Sequence, residues 1–99
     1  MTVVQLHPEA RSELLGGATY YEEQSDGLGG QFIDEAQRVF DLLAESPSMG
    51  SPVPEHTAYR RWALRRFPYR VIYRTDRDTL FVLAIAHDRR RPGYWSGRS

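Results

Sequence analysis

The chain has 99 residues, no cysteine, and thirteen basic residues against thirteen acidic ones. That leaves room for one modest hydrophobic core and excludes disulfide scaffolds and thiolate metal sites. With 40% apolar and 26% charged residues it has the composition of a globular domain rather than a disordered tract. A single domain over residues 1–99 is expected. No apolar run approaches the length that spans a bilayer, and the first residues lack the basic and apolar regions of a secretory signal, so a cytoplasmic protein is expected.

Zero net charge hides an asymmetry. Residues 1–55 hold two arginines against ten acids, and residues 56–99 hold eleven arginines against three. Either the basic half meets a polyanion or the two halves neutralise each other in the fold. Every basic residue is arginine, a planar fork suited to bidentate phosphate contact and unable to lose its proton near neutrality.

Taken in order, Thr2 to Leu6 reads as a short edge strand, and His7-Pro8 opens a helix because proline is well placed at a first helical turn. Ala10, Leu14, Ala18 and Tyr21 share one face of that helix. Gly16-Gly17 weakens its middle by about 1 kcal/mol per glycine relative to alanine. After Ser25-Asp26-Gly27, a second helix places Phe32, Ala36, Val39, Phe40 and Leu43 on one stripe and stops at Ser46-Pro47. The pair predicts a helical hairpin whose outer faces carry Glu13, Glu22, Glu23, Asp34, Asp41 and Glu45.

Pro47 to Glu55, with three prolines, is expected as a loop. Tyr59 to Phe67 predicts a strand with Trp62 and Leu64 on one face and Arg61, Ala63 and Arg65 on the other. In the next strand Tyr69, Val71 and Tyr73 share a face, and Arg70, Ile72 and Arg74 the opposite one. A turn over Asp76-Arg77-Asp78 leads into Leu80 to Ala86, apolar throughout and therefore a strand buried on both faces in mid-sheet. A basic, aromatic tail follows at once: His87, Arg89, Arg90, Arg91, Tyr94 and Trp95. The order β-α-α-β-β-β predicts an α+β fold, a small antiparallel sheet with the helical hairpin packed on one face.

The opening strand with Pro8-Glu9-Ala10, the helical hairpin, Phe67-Pro68-Tyr69-Arg70-Val71-Ile72-Tyr73, and His87-Asp88-Arg89-Arg90 followed by Tyr94-Trp95 together resemble the RelE/ParE superfamily of type II toxin–antitoxin toxins. The resemblance covers nearly the whole chain. It implies a small cytoplasmic toxin neutralised by a cognate antitoxin, with no cofactor. The target differs among members: one branch cleaves mRNA on the ribosome, the ParE-like branch poisons DNA gyrase, and some members have no established target. In the nuclease branch, the resemblance places a phosphate contact at Arg70, a second basic residue at Arg89 or Arg90, and a catalytic or stacking role at Tyr94 and His87. Arg61, Arg65, Arg91 and Trp95 are the candidate substrate contacts. This chain departs from that branch in having no lysine around the site.

Metal-independent RNA cleavage needs a base for the 2′-hydroxyl, cations for the phosphorane and an acid for the leaving oxygen. Arg70 with Arg89 or Arg90 would grip the phosphate, His87 would move a proton, and Tyr94 would donate one if nearby cations lowered its pKa. The alternatives are structural. His87 is a capped or solvated residue at a strand end, and Arg70 pairs with a carboxylate. Arg89 to Arg91 form a solvated run or a patch for an acidic segment of the antitoxin, and Tyr94 and Trp95 pin the tail to the sheet. His7 and His56 show no metal-ligand spacing. Three readings stand: a ribosome-dependent endoribonuclease, a gyrase-inhibiting binding protein, and an inactive member that binds only its antitoxin.

Overall fold

The structure is a computed structural model and describes residues 2–98. Strand β1 (Val3–Leu6) leads into helix α1 (Pro8–Gln24), with Pro8 in the first turn and His7 as its cap. The His7 Nδ1 accepts the Glu9 N–H at 3.1 Å, satisfying one of the helix's free donors. Helix α2 (Leu28–Glu45) follows a tight turn in which Gly27, at φ 87°, takes the left-handed conformation. Gly27 has no side chain with which to cap α2. The carboxylate of Glu22 does so from α1, accepting the N–H groups of Gly27 and Gly29 at 2.9 and 3.0 Å. The two helices cross closely at Gly29, where a Cβ would stand 2.4 Å from the Ala18 carbonyl oxygen.

A 3₁₀ turn (Pro47–Met49) precedes β2 (Ser51–Val53), β3 (His56–Ala63), β4 (Tyr69–Asp76) and β5 (Thr79–His87). The five strands form one sheet in the order β1-β5-β4-β3-β2. The expected all-antiparallel sheet is corrected here, because β1 pairs with β5 in parallel. The reason is parity. The helical hairpin carries the chain out and back, and the β2–β5 meander then brings β5 in running the same way as β1. The apolar β5 thereby gains a neighbour on each edge, as its composition requires. Two further differences are local. β2 lies within the stretch expected as a loop, as a short edge strand where Pro52 is tolerated. And β3 starts and ends earlier than expected, because Arg66, at φ 70°, belongs to the turn before β4.

The sheet separates two apolar clusters. On the helix side Phe32, Ala36, Val39, Phe40 and Leu43 of α2 pack on Val71, Tyr73, Leu80, Val82 and Ile85, with Trp62, Leu64, Phe67 and Tyr69 around them. On the other side, hereafter the open face, Val53, Ile72, Leu83 and Ala84 are covered by Trp95 of the tail. Tyr73 is fully buried, yet its hydroxyl is satisfied. It donates to the Pro47 carbonyl at 2.7 Å and accepts the Gly50 N–H at 2.9 Å, tying the 3₁₀ turn to the sheet.

One irregularity sets the geometry of everything after it. Ile72 pairs with Ala84 but Tyr73 pairs with Val82, so Leu83 is an extra residue, a β-bulge in β5. Leu80 and Val82 face the helices. Beyond the bulge the alternation is inverted, and Ile85 faces them instead. His87 consequently sits opposite Tyr69 on the helix side, its ring edge-on to that tyrosine at 4.9 Å between centroids.

Candidate functional site

The open face carries a groove of about 440 Å³ at the end where β3, β4 and the tail meet. Arg61 comes from β3 and Arg70 from β4, each on the strand face away from the helices, and Arg90 and Arg91 come from the tail. Val53, Ile72, Ala86 and Trp95 contribute apolar surface, and His56 stands beside Trp95 with 5.2 Å between ring centroids. Arg70 approaches Asp88 at 3.7 Å, an exposed pair that contributes little to stability. Among the described residues, no carboxylate lies within 4 Å of Arg61, Arg90 or Arg91. The groove is therefore a cationic surface with an apolar floor, suited to phosphate or carboxylate groups.

The tail that supplies half of these cations is held in place by a buried polar network. It leaves β5 in consecutive turns, with Gly93 in the left-handed region at φ 76°. Trp95 is buried at 3% exposure against the open face. The chain then rounds the edge of β5 beyond the end of β1. Glu13 of α1 and Arg98 of the tail occupy the place a longer β1 would have taken. The Glu13 carboxylate accepts the Ile85 N–H at 3.0 Å, and Arg98 donates to the Leu83 carbonyl at 3.2 Å. Arg98 also grips Glu13 through both terminal nitrogens, at 2.9 and 2.8 Å, and the Tyr94 hydroxyl donates to Glu13 at 2.6 Å. Burial pushes the Glu13 carboxyl up, but the bonds from Arg98, Tyr94 and Ile85 outweigh it and hold the group below its ordinary value. The Tyr94 hydroxyl is pushed well up by burial and by its bond to Glu13. Arg90 lies over the Tyr94 ring at 3.9 Å, so the network also positions a groove cation.

The residues singled out from the sequence divide among three places. Arg61, Arg70, Arg90 and Arg91 share the groove. His87 borders both the groove and a separate hollow on the helix side, where its ring packs on Tyr69, and Arg89 lines that hollow with Tyr20, Tyr21 and Tyr69. The His87 Nδ1 accepts the Arg89 N–H at 3.0 Å, just beyond the end of β5. Arg65 lies against α2, its N–H donating to Glu35 at 2.6 Å, remote from the groove arginines. Two expectations are corrected. Tyr94 does not have a lowered pKa, because burial and its bond to Glu13 outweigh the nearby cations Arg98 and Arg90. Glu13 is not on an outer helix face. The sequence held a signal for that inward position: Glu13 falls three residues after Ala10 and four before Gly17, on the stripe that packs against the sheet. Arg98 and His56 were not identified, and nothing in their local sequence points to these contacts. Among the described residues, no group of three His, Asp or Glu side chains could hold a metal ion.

This architecture has known counterparts. The family model described as "ParE toxin of type II toxin-antitoxin system, parDE" matches residues 4–92. The chain belongs to the ParE toxin family. Toxin ParE2 from two strains of Mycobacterium tuberculosis, CDC 1551 / Oshkosh and H37Rv, is 29% identical over 93 residues, covering 90% of this chain and 84% of the relative. The fold of this ParE-family toxin also matches a chain of the chromosomal ParDE toxin–antitoxin system from P. aeruginosa, with a TM-score of 0.72. That match has 18% identity and spans 88% of this chain and 96% of the other, a likeness of fold. Among the described residues of the toxin, no helix is long and apolar enough to cross a membrane.

Proposed function

We propose that this toxin arrests growth by binding and inhibiting DNA gyrase, not by cutting RNA, and that the arginine groove of the open face is its contact surface. One observation carries the choice: the Tyr94 hydroxyl donates to Glu13, so this candidate acid beside the groove is committed elsewhere. Its pKa is displaced upward, the wrong direction for a proton donor near neutrality. The ring of His87, the other proton-transfer candidate, packs on the helix side of the sheet. The groove offers chiefly guanidinium groups, which bind and orient anions but do not relay protons, beside the one imidazole of His56. Membership of the ParE family, whose branch of the superfamily poisons gyrase, supports the same reading.

In a supercoiling assay, adding the purified toxin to gyrase and relaxed plasmid should lower the supercoiled product. The Arg61→Ala/Arg70→Ala variant should need at least roughly tenfold more protein for the same effect, the loss of one or two charge-assisted contacts. Unchanged supercoiling at saturating toxin would overturn the proposal. Ribosome-dependent mRNA cleavage is a second reading, favoured by the imidazole of His56 in the same groove. Under it, primer extension on ribosome-bound message would show cuts that disappear with His56→Ala. The toxin's partner in either case is a cognate antitoxin, whose chain would cover the exposed apolar side chains of the helical hairpin, Leu15 among them. The two proteins mixed should elute from gel filtration as one complex.

A further inference from the structure

The hollow on the helix side of the sheet belongs to no part of the proposed gyrase contact. It has a volume of about 540 Å³ and lies between the end of α1, the turn before β4 and the end of β5. Four of its lining side chains are flat rings, Tyr20, Tyr21, Tyr69 and His87; Pro68, Asp88 and Arg89 complete the wall. Successive rings meet edge to face, Tyr20 on Tyr21 at 5.2 Å and 76°, Tyr21 on Tyr69 at 6.3 Å and 68°, Tyr69 on His87 at 4.9 Å and 84°. Neighbouring ring planes thus stand nearly perpendicular, and a planar molecule entering the hollow can lie face-on to one ring while the next meets its edge.

Tyr20 is 55% exposed, one of few large apolar side chains left in solvent. Burial pushes the hydroxyls of Tyr69 and Tyr21 above their ordinary value. Among the described residues no carboxylate lies within 4 Å of Arg89, and the neighbouring Asp88 is turned to Arg70. Rings that stack, hydroxyls that donate and an unpaired guanidinium together select a ligand that is flat at one end and anionic at the other.

We propose that this hollow binds a nucleotide, its base stacked on Tyr20 and its phosphate held by Arg89. The β-bulge at Leu83 is what makes the site, because only the inverted alternation brings His87 to Tyr69 and Arg89 to the helix side. A free mononucleotide and an unpaired nucleotide within a single strand present the same base and phosphate, and a titration separates them.

The full-length toxin would be titrated with guanosine and adenosine monophosphates, with a five-nucleotide single strand, and with inorganic phosphate, following backbone amide shifts by NMR. Saturable shifts confined to residues around Tyr20, Tyr69 and Arg89 are expected with the nucleotides, and none there with phosphate alone. Saturation by mononucleotides assigns a free-nucleotide site, whereas saturation by the oligonucleotide only assigns a single-strand site. The exposed positions make benign variants: Tyr20→Ala should weaken binding by about 5- to 150-fold, the range for one lost base–aromatic stack, and Arg89→Gln should also weaken it. Arg61→Ala, in the groove on the opposite face, should leave binding unchanged. That control keeps this test distinct from that of the gyrase reading. No shifts at millimolar nucleotide, equal response to phosphate alone, or full affinity in Tyr20→Ala would each overturn the proposal.

Discussion

Replacing Glu13 by glutamine tests whether the tail is held by the network at the edge of β5. The substitution keeps size and one acceptor but removes the charge that pairs with Arg98. The side chains of Glu13 and Arg98 are only 16% and 10% exposed, so solvent screens the pair weakly. Removing one partner of a fully buried pair costs about 3–5 kcal/mol. Because Glu13 retains some access to water, a loss of about 2–3 kcal/mol is the better expectation. For a domain of this size that is a fall in melting temperature of roughly 10–20 °C. The dependence on acid follows from the direction of the pKa shift. Glu13 is held below its ordinary carboxylate value in the fold, so its contribution is complete above the unfolded value, about 4.3. It is lost as pH falls through the lower folded value. Urea unfolding of both proteins between pH 7 and pH 3 should show a wide gap at neutrality that closes in acid, the wild type losing stability and the variant losing less. A gap below about 0.5 kcal/mol at pH 7, or one that widens in acid, would refute the reasoning.

Other substitutions probe the packing directly. Gly16 and Gly17 are neighbours in α1 with opposite surroundings. A Cβ on Gly16 meets nothing within 4 Å, while one on Gly17 would lie 2.7 Å from the buried ring of Phe32. Gly16→Ala should therefore raise stability by up to about 1 kcal/mol, and Gly17→Ala should lower it by about 1–2 kcal/mol after the helix gain is subtracted, both read from urea midpoints. Tyr73→Phe leaves the Gly50 N–H and the Pro47 carbonyl without their partner and should cost about 1–3 kcal/mol, with faster hydrogen exchange at Gly50 as its local signature. Trp95→Ala uncovers Ile72, Leu83 and Ala84 and should cost about 3–5 kcal/mol, with tail amides losing exchange protection before those of the helices.

What could be read from the sequence was what periodicity encodes. The stripe Phe32, Ala36, Val39, Phe40, Leu43 and the alternation from Tyr69 to Tyr73 each name a buried face, and both faces are buried as expected. The unbroken apolar run from Leu80 likewise names a central strand, and β5 is one. Three features were not legible because local pattern does not contain them. The direction of β1 depends on counting every reversal of the chain after it. The bulge at Leu83 leaves a run of apolar residues looking the same with or without it, yet it decides that Arg70 and the His87 ring face opposite ways. The bonds of Glu13 to Tyr94 and Arg98 span 81 and 85 residues, and neither end advertises the other. The division of the candidate cations between two faces of the sheet could be seen only in three dimensions.

The link between Glu13 and Arg98 also orders events during synthesis. A strand that pairs with β5 and a carboxylate that waits for Arg98 leave the amino-terminal elements without their final neighbours until the other extremity of the fold has been translated. Such long sequence separations slow the search for the native state and lengthen the life of incomplete forms. Until Arg98 is added, the network at the edge of β5 is incomplete, although the groove arginines of β3 and β4 are already in the chain.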